Sequence, residues 1–189
     1  PGHYVLEPGM NIVQVARMLK LGLQTPVRVT INNVRTPAQL AGKLARQIEA
    51  DSATIVGALT DPATARKAGF DPVTLFSMFI PDTYEFYWTV SPAQFIERMR
   101  REYDRFWTPQ RDAKRQRSGL SRLEVMTLAS IVYEETRQSD EMPRIAGVYI
   151  NRLRKGWPLQ ADPTVKYALQ EFGLRRILHR HLKYPSPYN

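Results

Sequence analysis

The chain has 189 residues, 43% of them apolar, enough to bury a core in one domain or one and a half. It contains no cysteine and three histidines (His3, His179, His181), which excludes disulfides and thiolate metal sites and leaves no His-Glu-x-x-His zinc pattern. Its charge of +9, from 27 basic and 18 acidic residues, favours an anionic partner such as nucleic acid, a lipid surface or an anionic polymer, and no apolar run reaches the roughly 20 residues that span a bilayer.

Residues 3–7 read as a short strand, and Pro8-Gly9 as a turn. Asn11 is a cap for a helix over 12–21, with Ile12, Val15, Ala16 and Leu19 on one face. Val27 to Ile31 alternates as a half-buried strand does. Thr36-Pro37 starts a helix with Leu40, Leu44 and Ile48 as its apolar stripe. Asp51-Ser52 caps a further helix over 53–59, and Asp61-Pro62 and Asp71-Pro72 mark helix starts or turns. The aromatic stretch Met78 to Trp88, broken by Pro81-Asp82-Thr83, reads as a loop with short extended flanks. Phe95, Ile96, Met99, Tyr103 and Phe106 give core spacing to a helix over 92–106. A basic, exposed helix over 110–117 follows. Its Lys and Arg residues, like those of 97–105, read as a solvated face rather than a nucleic-acid motif.

Ser121 and Glu124 form a capping-box pattern that opens a helix over 121–136. Further helices are expected over 140–154, 163–170 and 173–181, with His179 and His181 at a basic solvated end. Helix dominates with a few strands, so the fold class is α+β. The chain opens at Pro1-Gly2 without an initiating Met, so we expect a longer parent protein whose anchor or export signal lies outside it. The absence of thiols leans towards an exported domain.

The most informative segment is Leu128-Ala129-Ser130-Ile131-Val132-Tyr133-Glu134-Glu135-Thr136, two carboxylates at the end of an apolar helical run. Val125, Ala129, Val132 and Thr136 share one face, Leu128 and Ile131 widen it, and Glu135 falls between these two. Glu134 falls near the opposite side and should be the more hydrated. A carboxyl held against apolar side chains favours its neutral form and can act as a general acid, with a glycosidic bond as a natural target. The alternative is a surface Glu paired with Arg137 or Arg144. Asn151 and the segment Leu159 to Thr164 add amides, which both donate and accept hydrogen bonds and so suit sugars. Asn151 could equally satisfy buried backbone groups, and Asp162-Pro163-Thr164 could be simply a helix start. Tyr84, Phe86, Tyr87 and Trp88 could form a sugar-stacking wall or a core.

These segments together resemble the endolytic murein transglycosylases, the YceG-like family. The resemblance rests on Phe79-Ile80-Pro81-Asp82-Thr83-Tyr84, on Ala129 to Thr136, on Val148-Tyr149-Ile150-Asn151-Arg152-Leu153, on Leu159 to Tyr167, and on Ser186-Pro187-Tyr188-Asn189, in order and with similar spacing. It implies a bacterial protein with one N-terminal membrane-spanning anchor and a catalytic part outside the cytoplasmic membrane. Residues 1–24 would be part of a LysM-like module and 25–189 the catalytic domain. The family's catalytic Glu directly precedes Thr, which is Glu135 here. Tyr133 stands where the family often has Glu, which argues against an essential carboxylate at that position. Asn151, Gln160, Asp162, Thr164, Tyr188 and Asn189 are the expected substrate-binding residues.

The implied reaction cuts the MurNAc–GlcNAc β-1,4 bond of nascent peptidoglycan and leaves 1,6-anhydro ends, with no metal or organic cofactor. The implied partners are peptidoglycan glycan strands and the cell-wall synthesis machinery, not nucleic acid. A non-catalytic peptidoglycan-binding module is the alternative, and a nucleic-acid binder is motivated by charge alone.

Overall fold

The computed structural model describes residues 1–188, and these divide into two compact units, Pro1–Pro109 and a second that begins at Gln110. Side-chain caps written into the sequence set where the helices of the first unit begin. Asn11 accepts from the Gln14 N–H at 2.9 Å, and the Gln14 side chain accepts from the Asn11 N–H at 2.8 Å, opening α1 (Ile12–Lys20). Thr36 opens α2 (Pro37–Leu44), Asp51 opens α3 (Ser52–Thr60), Asp61 opens α4 (Pro62–Lys67) and Ser91 opens α5 (Pro92–Phe106). Such a cap contributes about 1 kcal/mol by satisfying an N–H that the first turn leaves without a partner.

Two antiparallel strands, β1 (Val27–Ile31) and β2 (Asp82–Phe86), pair Val29 with Tyr84 and place both side chains inside. The stretch expected as a loop with short extended flanks contains a five-residue strand, because β1 offers it a hydrogen-bonding edge that no local signal reveals. Its aromatics are mainly core: Tyr84 and Phe86 are buried, while Tyr87 is exposed. Phe95 of α5 lies between Phe79, at 5.8 Å between ring centroids, and Phe86, at 5.2 Å. Leu40, Leu44, Ile55 and Met99 complete the interior. Ile48 is buried as expected, although α2 has already ended at Leu44.

Residues 3–7 do not form a strand. Three hydrogen bonds tie them to Thr25, but only one, from the Thr25 N–H to the His3 carbonyl at 2.8 Å, joins backbone to backbone, and one such bond does not make a ladder. The Gln24 side chain donates to Thr89 Oγ1 at 3.2 Å, which links 1–24 to the strand-bearing part, and the compact units do not divide at residue 24. The apolar face of α1 buries no residue, and Ile12 and Val13 lie open.

The second unit is helical: α6 (Pro109–Ser118), α7 (Arg122–Glu135), α8 (Met142–Arg154), α9 (Asp162–Leu169) and α10 (His179–Leu182). The helix expected over 173–181 is present as α10 alone. α6 buries nothing, as its basic composition predicts. It is fixed by Asp112, which accepts from Arg115 at 2.9 Å and from Arg122 Nε at 3.0 Å. α7 packs on α8 and α9, and Leu128, Ile131, Val132, Tyr149 and Ala161 form the buried core between them.

Candidate active site

The Ser121 cap and its Glu124 partner start α7, with bonds of 3.2 and 2.7 Å. About four turns later the helix ends at Glu135, where Thr136 adopts an extended backbone (φ −142°, ψ 149°). The Thr136 hydroxyl donates to Glu141 Oε2 at 2.6 Å and accepts from the Gln138 N–H at 3.0 Å. One hydroxyl thus pins the turn that carries the chain from α7 into α8.

The two neighbouring carboxylates differ, but in the opposite sense to the helix-face expectation. Glu135 is exposed and Glu134 is half-buried. Glu135 is the last helical residue, and the chain leaves it in an extended direction, so no further turn of α7 lies over it. Arg137 folds back instead, 3.8 Å from Glu134 and 4.3 Å from the ring centre of Tyr133, and screens that side.

Glu135 nevertheless meets other polar groups. Tyr149 of α8 is buried, and burial pushes its hydroxyl above the usual tyrosine range. The Glu135 carboxylate adds to the shift, Arg152 opposes it, and the Asp162 carboxylate adds further. A hydrogen-bonding contact with Glu135 is the weakest of these influences. Glu135, Asp162 and Arg152, from three helices and distant segments of the chain, are therefore close enough to act electrostatically on one buried phenol.

Asp162 is the first residue of α9 and is exposed. Gln160 joins the group through Arg152, whose guanidinium donates to Gln160 Oε1 at 2.9 Å. The Thr164 hydroxyl donates to the Ala161 carbonyl at 2.8 Å, which gives it a local part in starting α9. Asn151 is exposed on α8. Tyr188 packs edge-on against Tyr167 of α9, with centroids 4.9 Å apart. Among the described residues, the Thr164 hydroxyl bonds within its own turn and the Tyr188 N–H to Ser186 Oγ at 3.2 Å, and Asn189 lies outside the described residues.

Two residues of this group, Tyr149 and Arg152, are not among the site residues expected from the sequence, whereas Asn151 of the same segment is. Their signal was there: positions i and i+3 share a helix face, and Asn151 does not share it. Among the described residues no group of three or more His, Asp or Glu side chains could hold a metal ion. The chemistry on offer is that of two carboxyls, a phenol, an amide and a guanidinium. Two shallow hollows in the first unit, one lined by Arg98 and Glu102 and the other by Phe86 and Arg101, do not include these groups. The Arg98–Glu102 pair is already satisfied internally at 2.6 Å.

Known proteins share both sequence and fold with this chain. An endolytic murein transglycosylase of Bacillus subtilis is 26% identical over 203 residues, covering all of this chain and 56% of that protein. One from Streptococcus pneumoniae is 28% identical over 113 residues, covering 58% of this chain and 20% of that protein. The chain therefore spans about half the length of the Bacillus relative, and less of the other. A crystal structure of a YceG-like protein from Listeria monocytogenes superposes with a TM-score of 0.75 at 27% identity, over 98% of this chain and 66% of that one. The YceG-like family model matches residues 1–189. A match running from the first residue to the last, carried on a fold shared with a solved YceG-like protein, makes this chain a member of the YceG-like family.

Proposed function

We propose that the chain is the catalytic part of an endolytic murein transglycosylase, with Glu135 as its acid and base. The observation that carries this reading is that α7, ending at the Glu-Thr motif, packs on α8 and α9, which brings the Glu135 carboxylate, with Arg152 and Asp162, within electrostatic reach of the buried Tyr149. The names of the relatives support the substrate class.

In the proposed reaction, the protonated Glu135 carboxyl donates to the glycosidic oxygen of a MurNAc–GlcNAc β-1,4 bond as the bond to C1 breaks. The carboxylate so formed then takes the proton of the MurNAc 6-hydroxyl. That oxygen closes on C1, leaving a 1,6-anhydro end and returning Glu135 to its starting state. One carboxyl serves both steps, so no second nucleophilic carboxylate is required, unlike in a retaining hydrolase. Glu135 is exposed in the free chain; a glycan strand laid over it would remove water from the carboxyl and so favour the neutral form the first step needs. Asp162, Gln160, Asn151, Thr164, Tyr188 and Asn189 would bind the strand or orient Glu135.

The natural setting would be the outer side of the cytoplasmic membrane, through an anchor outside this chain, beside the cell-wall synthesis machinery. No helix among the described residues is long and apolar enough to cross a membrane. Residues 1–24 would be part of a LysM-like module. The test is Glu135→Gln, which keeps size and hydrogen bonding but cannot donate the proton. Cleavage of glycan strands should fall roughly 10²- to 10⁴-fold with the fold and glycan binding retained. Wild-type turnover by that variant would refute the assignment.

A further inference from the structure

Helix α8 ends in a way that turns the chain back onto itself. Gly156 takes φ 65°, the Gly156 N–H bonds to the Leu153 carbonyl at 3.0 Å, and the Trp157 N–H bonds to the Arg152 carbonyl at 2.9 Å. This reversal brings the next residues under the Arg152 side chain. One guanidinium nitrogen donates to the Pro158 carbonyl at 3.2 Å, the Leu159 carbonyl at 2.9 Å and Gln160 Oε1 at 2.9 Å. Gln160 itself is held at φ 52°, a left-handed conformation that side-chain-bearing residues rarely adopt. Ala161 follows, buried, and then Asp162, which shares the surroundings of Tyr149 with Glu135.

The clamp fixes more than backbone. Arginine has donors only, so the end of the Gln160 amide that faces it must be the oxygen. The amide nitrogen, with two N–H donors, is then turned away on an exposed residue. We propose that Gln160 is a specificity-determining residue, presented by Arg152 as a hydrogen-bond donor to the acetamido carbonyl of a murein sugar, and that Arg152 is the positioning residue for it. A carbonyl only accepts, so it matches a group obliged to donate. This inference rests on the murein reading above and adds to it the group on the sugar that is recognised.

The test uses the chain described here, glycan strands carrying native acetamido groups, and the same strands after N-deacetylation. The variant Gln160→Glu keeps the shape and offers Arg152 a carboxylate, so the clamp and the thermal midpoint should hold or improve. It replaces the outward donor by an acceptor. The wild type should cut acetylated strands with kcat/KM about tenfold or more above deacetylated ones. Gln160→Glu should lose that preference, chiefly through KM. Arg152→Lys keeps the charge without the planar fork and should lose the preference too. A merely structural role would leave the ratio between the two substrates unchanged. The same ratio measured as binding to Glu135→Gln protein separates the two levels of the account. If that protein binds acetylated strands preferentially and the preference vanishes with Gln160→Glu, the inference stands even where the cleavage assignment fails. If Gln160→Glu matches the wild type on both substrates, in binding and in cleavage, the inference is overturned.

Discussion

Replacing Thr136 by Val removes one hydroxyl and leaves the backbone preference alone. Val suits the extended conformation at this position (φ −142°, ψ 149°), and its volume is nearly that of Thr. Two hydrogen bonds are lost, to Glu141 Oε2 at 2.6 Å and from the Gln138 N–H at 3.0 Å. Both partner residues are exposed and can turn to water, so each bond counts at the low end of the usual range. The sum is about 1–2 kcal/mol, which in a unit of about 80 residues lowers the melting midpoint by roughly 4–16 °C. Because Thr136 directly follows Glu135, freeing the turn also loosens the acid, and a misplacement of about 1 Å costs up to about 10²-fold in rate. Urea denaturation and strand cleavage, measured on Thr136→Val and Thr136→Ser, check this. The Ser variant keeps the hydroxyl and should stay close to wild type in cleavage. If Val matched Ser in both stability and turnover, the hydroxyl would not be what fixes the turn.

Phe95→Ala should destabilise the first unit by roughly 3–5 kcal/mol, because the ring is 1% exposed and lies between Phe79 and Phe86; thermal melts followed by tryptophan fluorescence would show it, and a loss below about 1 kcal/mol would contradict the packing described. The bonds from Arg122 and then Arg115 hold the Asp112 carboxyl at about 2, below its ordinary 3.8. A depressed carboxyl contributes stability that is fully present above its unfolded value and is lost as pH falls towards the folded one. The second unit should therefore weaken between about pH 4 and pH 2, and Asp112→Asn should flatten that slope. An unchanged slope in the variant would show that other carboxyls carry the acid sensitivity.

What could be read from the sequence was local. The caps at Asn11, Thr36, Asp51 and Ser121 depend on residues three positions apart, and each opens the helix expected of it. β2 was hidden because a strand is defined by its partner, and β1 lies far away in the chain. Residues 3–7 fail as a strand because a single backbone bond, from the Thr25 N–H to the His3 carbonyl, is all the ladder they make. The inversion of Glu134 and Glu135 arises because a helical wheel ranks positions by angle alone and cannot show Arg137 folding back from beyond the helix end onto the Glu134 side. The family motifs pointed to Glu135, Gln160 and Asp162, but the groups that connect these residues, Tyr149 and Arg152, emerge only when α7, α8 and α9 are packed together. Gln160 in a left-handed conformation had no sequence signal, since Gly or Asn would be the usual choice there.

The proposed chemistry is tested most directly by the new sugar end made when glycan strands are cut in water labelled with heavy oxygen. Wild-type protein should yield 1,6-anhydro ends without the label, because the sugar's own 6-oxygen closes on C1, and Glu135→Gln should yield almost none. Labelled reducing ends from the wild type, or undiminished anhydro ends from Glu135→Gln, would contradict it.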